Sequence, residues 1–336
     1  MSSGATEHKV PSHPAATRVA RKVWREVSRP FRPRIGGTAS PASTTSAEPV
    51  VPVTPGEDTT LANYIRGCVL PRAAETYDHY LPSRWMGSQG IDLHESAQLA
   101  RLEKWRGESY QELYRRLRHN VEINCPFAGQ SYLGTSCLHN GWYPTPDAEI
   151  YASMICDFRP DQIIEVGSGF STLIARQALE FAQHKIPLTV IDPAPRTNVE
   201  QAADKVIYER VEDSKLEKFA LTERSLLFID SSHITRPRGD VPYLYCEVLP
   251  QLPAGAIVHF HDIFIPYDYP TCYDHLCWTE QYVLHALLAQ SPRYRTLLST
   301  QYLSRHQTAA MQATFGSQVG GADNLFYGAS YWIQIQ

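Results

Sequence analysis

The sequence contains no apolar run long enough to cross a membrane, and its N-terminus lacks the uninterrupted apolar stretch of a secretory signal. It also contains no Cys-x-x-Cys pair, and its seven cysteines, an odd number, fit no closed disulfide framework. The formal net charge of only −4 gives no overall attraction to nucleic acid or to anionic membranes. We therefore expect a soluble, cytoplasmic protein with no transmembrane segment and no nucleic-acid partner.

Large apolar side chains are scarce in residues 1–58, where Pro, Ser, Thr, Ala and Gly dominate, and this composition predicts a disordered tail. The segment 17–34 within the tail is basic, with Val19, Val23 and Val27 on one potential helix face. A basic amphipathic helix can contact a membrane surface, a nucleic acid or a partner protein. The composition favours a solvated, partly helical tail over these contacts.

The rest of the sequence predicts a folded protein in two parts. Residues 59–145 predict a helical and loop extension, because Leu99, Leu102 and Trp105 recur near helical spacing. Residues 146–336 alternate between strand and helix patterns, which predicts a doubly wound, mostly parallel α/β sheet of the Rossmann-like type. The predicted strands are 162–166, 188–191, 206–209, 226–229, 256–260, 295–300 and 326–335. No good helix is predicted between the last two strands, which are expected to pair as an antiparallel edge.

A glycine-containing loop, Glu165–Thr172, follows the first predicted strand and opens a helix. Gly167 and Gly169, on either side of Ser168, permit a tight turn and let a ligand approach the backbone. The N–H groups of the helix N-terminus then face that ligand. Thr172 stands where the dinucleotide fingerprint needs a third glycine or alanine, which counts against NAD as the ligand.

Two acids lie next to this loop in the predicted fold. Asp192 ends the second strand, where a carboxylate can accept both ribose hydroxyls of a nucleoside. Glu165 ends the first strand, where it can orient the loop or face a cationic group of the ligand. The alternatives without a ligand are a helix cap at Asp192 and a loop-bracing carboxylate at Glu165.

These motifs together resemble a bacterial family of class I S-adenosylmethionine-dependent methyltransferases. The residues that carry the resemblance are Glu165–Thr172, Phe228–His233, Val258–Pro266, Tyr267–Pro270 and Thr279–Leu284. The resemblance covers roughly residues 140–336 and implies a seven-stranded sheet with a reversed last strand. It also implies S-adenosylmethionine as the cofactor, held by Glu165, Gly167, Ser168, Gly169, Asp192 and Asp230.

Asp230 and Asp262 end the fourth and fifth predicted strands and therefore point into the same crevice as the glycine loop. Their surroundings are similar to those in metal-dependent O-methyltransferases of the catechol type. That similarity implies a divalent metal bound by Asp230, His261 and Asp262, with His233 in the place of a catalytic lysine. An imidazole ligand at His261 suits a softer ion than magnesium, such as manganese, iron or zinc.

A metal-free reaction is the favoured alternative. His233 or His261 can accept a hydroxyl proton near neutral pH, with Asp262 or Asp230 orienting the imidazole. In the plainest interpretation, the two acids cap turns and the two histidines are merely hydrogen-bonded. His259 and His261 also suggest an oxygenase metal pair, but we expect His259 to be buried in the sheet, away from the crevice.

The sequence therefore predicts O-methylation of a hydroxyl on a sugar, a polysaccharide or a secondary metabolite. The partner is a small-molecule or glycan acceptor, and the oligomeric state is left open. The alternative outside catalysis is a cofactor-binding scaffold whose basic tail recruits a biosynthetic enzyme. The joint presence of Asp230, His233, His261 and Asp262 disfavours that alternative, because a scaffold needs none of them.

Overall fold

A computed structural model describes residues 86–124, 143, 145–195, 198–215, 221–270, 273, 276–316 and 328–336, with backbone alone at 119–124. These residues all fall within the unit Thr60–Gln336. The predicted tail, with its basic segment 17–34, lies outside the described residues. None of the helices in the described part of the chain has the length and apolarity that a bilayer span requires.

Seven strands form one twisted sheet. They are β1 (Gln162–Val166), β2 (Leu188–Ile191), β3 (Lys205–Ile207), β4 (Ser225–Ile229), β5 (Ile257–Phe260), β6 (Tyr294–Ser299) and β7 (Tyr331–Ile335). Their order across the sheet is β3-β2-β1-β4-β5-β7-β6. The first five strands are parallel, and β7 runs antiparallel to both β5 and β6. The predicted doubly wound, mostly parallel sheet with a reversed last strand is confirmed.

Helices cover both faces of this sheet. They are α1 (Glu95–Trp105), α2 (Glu108–Asn124), α3 (Asp147–Phe158), α4 (Phe170–Phe181), α5 (Asp240–Tyr243), α6 (Glu280–Gln290), α7 (Thr300–His306) and α8 (Thr308–Phe315). A π turn at Leu244–Val248 and a 3-10 turn at Leu249–Gln251 continue α5. Because helices pack on both faces of the sheet, β4 is buried at every residue and its sequence is apolar almost throughout.

The structure corrects the prediction for the last connection. Two helices, α7 and α8, lie between β6 and β7, where no helix was expected. Their apolar contacts with the core are few and widely spaced, mainly Leu303, Met311 and Phe315, so no strong helical period marks them. The hydroxyl of Ser299 caps α7 by accepting a hydrogen bond from the N–H of Tyr302 at 3.2 Å.

Two shorter predictions also differ from the structure. The polar helix expected near residues 199–204 is a single 3-10 turn, Val199–Gln201. Of the helix expected at 214–219, Ser214 and Lys215 are not helical and the remainder lies outside the described residues. The segment 199–204 is short and polar, and a helix of that length has too little apolar surface to stabilise it.

The helices α1 and α2 belong to the main core. Trp105 and Tyr114 pack against Phe315 of α8, with ring centroids 6.4 and 5.7 Å apart. The same buried cluster reaches the sheet through Phe228 and Trp332. The described part of the predicted 59–145 extension is therefore continuous with the core on this face of the sheet.

Candidate functional site

The glycine loop joins the end of β1 to the start of α4 and requires both of its glycines. Gly167 has φ +85°, and a Cβ there would lie 2.0 Å from the carbonyl oxygen of Asp230. Gly169 has φ +155°, and a Cβ there would meet nothing within 4 Å. Gly167 thus allows the loop to pack on β4, whereas Gly169 faces open space at a helix N-terminus.

Glu165 supports this loop through hydrogen bonds from buried hydroxyl groups. It is completely buried, and it accepts hydrogen bonds from the Tyr151 hydroxyl at 2.9 Å and the Thr172 hydroxyl at 2.5 Å. Thr172 in turn accepts a hydrogen bond from the N–H of Gly169 at 3.2 Å. Burial raises the pKa of the Glu165 carboxyl to about 7, and the nearby Asp230 carboxylate adds to the rise.

Asp192 stands across the loop at the end of β2. Its carboxylate accepts a hydrogen bond from the Ser168 hydroxyl at 2.7 Å and another from the N–H of Ala194 at 2.8 Å. It therefore both caps the turn after β2 and ties that turn to the glycine loop.

Three side chains converge beyond β4 and β5. The Nε2 atom of His233 lies 3.2 Å from Oδ1 of Asp230 and 3.6 Å from Oδ2 of Asp262. One ligand atom from each of the three residues lies within 4.8 Å of the others. His233 is almost completely buried, whereas the carboxylates of Asp230 and Asp262 are 33% and 23% exposed. The cluster is therefore open toward solvent on its acidic side.

The other side of His233 is fixed by the start of α6. Its Nδ1 atom lies 2.7 Å from Oε2 of Glu280, and Oε1 of Glu280 accepts a hydrogen bond from the Tyr245 hydroxyl at 2.9 Å. The backbone N–H groups of Thr279 and Glu280 both donate to the carbonyl of His233. The ring of Trp278 packs on the imidazole with centroids 4.5 Å apart.

His261 faces the carboxylates of Asp230 and Asp262 with its Nδ1 atom, whereas His233 faces them with Nε2. Its Nε2 atom lies 3.4 Å from Oδ2 of Asp147 at the start of α3. Its Nδ1 atom is buried without a hydrogen-bond partner, 3.5 Å from Oδ1 of Asp230 and 3.7 Å from Oδ1 of Asp262. The ring of Tyr143 packs against it at 4.8 Å.

The charges in this cluster shift its pKa values strongly. Burial opposes a charged imidazole, but hydrogen bonds to Asp230 and Glu280 outweigh it and raise the pKa of His233 to about 10. Burial is likewise outweighed at His261, where Asp262 and Asp230 raise the pKa well above its usual value. The two histidines hold the pKa of Asp230 well below its usual value despite burial, whereas burial raises the pKa of Asp262. Four carboxyl groups, those of Asp230, Asp262, Glu280 and Asp147, lie against the two imidazoles of this cluster.

His259 lies away from this cluster, as expected. It is completely buried, its ring stacks on Trp332 at 3.8 Å, and its Nε2 atom contacts the Ser330 hydroxyl at 2.8 Å. Within the described part of the chain, it joins no group of three ligand atoms close enough to hold a metal. An oxygenase site built on His259 and His261 therefore has no support in the geometry.

The structure brings together most of the residues that the sequence singled out. The loop residues lie beside Asp192, and Asp230 links the loop to the cluster with His233, His261 and Asp262. Sequence reasoning missed Asp147, Tyr245 and Glu280, which orient the two histidines. Asp147 and Glu280 each begin a helix, where an acid is ordinarily explained as a partner of the helix dipole. Glu280 also lies within Thr279–Leu284, a segment that carries the resemblance, but that segment does not indicate a contact with His233.

Comparison with known proteins adds a family match to this geometry. Residues 164–263, which include the glycine loop and the ends of β4 and β5, match a family model described as a methyltransferase domain. An uncharacterized protein of Archaeoglobus fulgidus is 29% identical over 150 residues, which is 41% of this chain. The match covers 61% of that protein, so the chain spans about three fifths of the length of this curated relative.

Solved structures of methyltransferases are also similar to the chain at low sequence identity. A Podospora anserina methyltransferase, PaMTH1, bound to SAH is 16% identical with a TM-score of 0.37, over 68% of this chain and 88% of that one. An O-methyltransferase from Bacillus cereus in complex with SAH is 14% identical with a TM-score of 0.35, over 68% and 91%.

Proposed function

We propose that this protein is an S-adenosylmethionine-dependent methyltransferase that methylates a hydroxyl oxygen of a sugar, a polysaccharide or a secondary metabolite. One observation carries the proposal: the glycine loop leaves open space at Gly169, beside the Asp192 carboxylate and at the N-terminus of α4. The match of residues 164–263 to a methyltransferase domain supports methyl transfer as the use of that space. NAD is disfavoured by Thr172, whose hydroxyl is committed to Glu165 and Gly169.

Each part of the cofactor has a partner in this proposal. Asp192 accepts the ribose hydroxyls, with Ser168 keeping its carboxylate in place. Gly167 and Gly169 let the cofactor approach the backbone. Glu165 braces the loop, and its carboxylate, like that of Asp230, favours the cationic end of the cofactor by Coulomb attraction.

Methyl transfer is an in-line displacement that needs proximity and a nucleophilic oxygen. When bound, S-adenosylmethionine would supply the methyl group: the acceptor oxygen would bond to the methyl carbon as the carbon–sulfur bond breaks, and the electron pair of that bond would stay on sulfur in a neutral thioether. The cluster would take the hydroxyl proton. Asp262, His233 and His261 are the proposed groups at this step.

The contacts of His261 differ from those of His233 in this cluster. Both nitrogens of His233 are engaged, by Glu280 and by the two aspartates. The Nδ1 atom of His261 has no hydrogen-bond partner, while Asp147 holds its Nε2 atom and orients the ring. Because the two aspartates raise the pKa of His261 well above its usual value, His261 serves this step as a charged partner of Asp262, whose carboxylate, with a pKa raised by burial, receives the proton.

An aromatic cluster near the histidines fits an acceptor with a sugar or aromatic ring. Phe264 and Tyr269 are buried in it, and Tyr273 and Trp278 are half-buried. Trp278 also contacts the imidazole of His233, so this cluster reaches the proposed reaction site. Aromatic faces pack well against sugar rings and arenes.

Calorimetry tests the cofactor, with a matched pair of variants. We expect the protein to bind S-adenosylmethionine or its demethylated product, and Asp192→Ala to lower that affinity at least tenfold, because a charge-assisted hydrogen bond contributes about 1.5–3 kcal/mol. Ser168→Ala removes a partner of Asp192 but keeps its carboxylate, so the loss should be smaller. Binding of NAD alone would refute the proposal. Labelled cofactor incubated with a metabolite extract then identifies the acceptor.

A further inference from the structure

We propose that Arg305, near the end of α7, binds a negatively charged phosphate or carboxylate group of the methyl acceptor. Its guanidinium packs on the ring of Tyr267, at the same edge of the sheet as the proposed reaction site. That the anion belongs to the acceptor rests on the proposed function, whereas binding of an anion by Arg305 can be tested without methyl transfer.

Arg305 carries a partly buried charge without a counter-charge. Its Nε atom is buried without a hydrogen-bond partner, and no carboxylate in the described part of the chain forms an ion pair with its guanidinium. Burial lowers the pKa of this guanidinium, although Tyr267 acts in the opposite direction. The dipole of α7 favours a basic residue in the last turn but does not account for the burial of Nε. Since arginine stays charged in proteins, this burial costs free energy that a bound anion would offset.

The contacts of Tyr267 hold the guanidinium in one place. The Cζ atom of Arg305 lies 4.6 Å from the centre of the Tyr267 ring. The Tyr267 hydroxyl contacts Nε2 of His306 at 2.9 Å, and the His306 ring stacks on Tyr302 with centroids 4.7 Å apart. A guanidinium that packs on an aromatic ring still presents the N–H groups in its own plane to other partners. Those N–H groups match the paired oxygens of a phosphate or a carboxylate.

The helix α7 places Arg305 a short distance from the reaction site. Because β7 runs antiparallel to both β5 and β6, β6 ends at the same edge of the sheet as β5. There the Thr300 hydroxyl donates to Oδ1 of Asp147 at 3.0 Å, and Oδ2 of Asp147 lies 3.4 Å from Nε2 of His261. At 1.5 Å per residue, Arg305 lies about 7.5 Å beyond Thr300 along the helix. A phosphorylated or acidic saccharide can span a separation of this order.

The charges at the two ends orient such an acceptor. The carboxylates of Asp230 and Asp262 are 33% and 23% exposed, so the reaction site presents negative charge to solvent. They repel an anionic group, whereas Arg305 attracts it. The acceptor therefore binds with its hydroxyl at the aspartates and its anionic group at Arg305, and neutral sugars bind less well.

Thermal unfolding in inorganic phosphate tests the anion site, with sodium chloride at equal ionic strength as the reference. We expect phosphate to raise the unfolding midpoint of the wild type, because a ligand of the folded state stabilises it. Arg305→Gln should lower the phosphate affinity obtained from this shift at least about tenfold, since a hydrogen bond between charged groups is lost. A parallel titration with acetate distinguishes a phosphate site from a carboxylate site.

Arg224→Gln is the matched control and should keep the wild-type phosphate affinity. Arg224 is exposed and pairs with Asp161 at the opposite edge of the sheet, where β1 and β4 begin. The general salting-out effect of phosphate is common to all these proteins and cancels in the comparison. Equal phosphate shifts in Arg305→Gln and the wild type would overturn the site. If Arg305→Gln does not fold, Arg305→Lys keeps the charge without the paired N–H donors, and an unchanged affinity there would overturn it equally.

Labelled S-adenosylmethionine and a metabolite extract test the link to the acceptor. The methylated product should be retained on an anion exchanger, and Arg305→Gln should raise the KM of the purified acceptor at least about tenfold with the S-adenosylmethionine affinity unchanged. A neutral product would refute this link. Normal S-adenosylmethionine binding in a protein that phosphate does not stabilise would refute the anion site and leave the proposed function standing. The reverse pair of results would refute the function and leave the anion site.

Discussion

At the scale of single residues, the site depends on acids that burial makes costly to ionise. Glu165 is the clearest case, since its carboxyl is completely buried and only neutral hydroxyls, those of Tyr151 and Thr172, donate to it. The protein keeps this carboxyl at the base of the loop that we assign to a cationic cofactor. The arrangement stores a cost in stability that a bound cation would partly offset.

This cost makes stability depend on pH in a predictable direction. Burial raises the folded-state pKa of Glu165 to about 7 from the ordinary 4.5. Between these values the folded protein holds a proton that the unfolded chain has released, so stability falls as pH rises through this window. Glu165→Gln should remove this loss, about 3 kcal/mol. Urea unfolding at pH 5 and pH 8 measures it, and Glu247→Gln, at an exposed side chain, is the control. An identical pH dependence in Glu165→Gln and the wild type would contradict the assignment.

Some site residues could be predicted from the sequence because strand ends in a parallel sheet face one crevice. Asp192, Asp230 and Asp262 were proposed from their places at strand ends, and Gly167 from the glycine loop between the first strand and its helix. Glu280 could not be found this way, because it reaches His233 from a helix 47 residues further along the chain. A local pattern does not show which distant side chain a fold brings into contact.

At the scale of elements, the glycine loop carries two separate requirements that look identical in sequence. Gly167 is needed because the backbone carbonyl of Asp230, directly after β4, comes so close, whereas a Cβ at Gly169 would enter open space that the proposed function gives to the cofactor. Both have positive φ, so any other residue also strains the backbone. The two glycines therefore separate stability from binding.

Three alanine variants test that separation. Gly167→Ala should destabilise the protein by at least about 2 kcal/mol, because its Cβ would overlap the Asp230 carbonyl. Gly169→Ala should lose at least tenfold in S-adenosylmethionine affinity at a smaller cost in stability. Gly316→Ala, at φ +85° with nothing within 4 Å of its Cβ, controls for backbone strain and should keep the affinity. Thermal unfolding and calorimetry measure both quantities, and equal affinity losses in Gly169→Ala and Gly316→Ala would contradict this role.

Elements differed in how well the sequence predicted them, for a physical reason. Strands buried on both faces are short apolar runs between polar turns, and β1, β2 and β4 were located within a residue of their observed bounds. The helices α7 and α8 lie partly at the surface and bury few apolar side chains. Hydrophobic periodicity is therefore weak in them, and tertiary contacts with α1 and α2 stabilise them instead.

At the scale of the whole molecule, the buried core is wider than the segment that matches the methyltransferase domain. That segment is 164–263, whereas the core clusters begin at Ile91 and end at Ile335. The first described helix, α1, contributes Leu102 and Trp105, which are both completely buried. Gln98 of the same helix accepts a hydrogen bond from the N–H of Ser299 at the end of β6 at 2.9 Å.

This difference predicts where the chain can be shortened. Deleting residues 1–58, which are poor in large apolar side chains, should leave the unfolding midpoint within about 2 °C of the full chain and the S-adenosylmethionine affinity within about twofold. A second truncation that starts at Gly107 removes α1 and leaves the space of two large buried side chains empty. It should lower the free energy of unfolding by several kcal/mol, on the order of the cost of large core cavities, and the unfolding midpoint by about 10 °C or more. Calorimetry and thermal unfolding of the two truncated proteins measure both effects. If the first truncation lost its solubility or its affinity, residues 1–58 would have to stabilise the fold or the site, contrary to their composition.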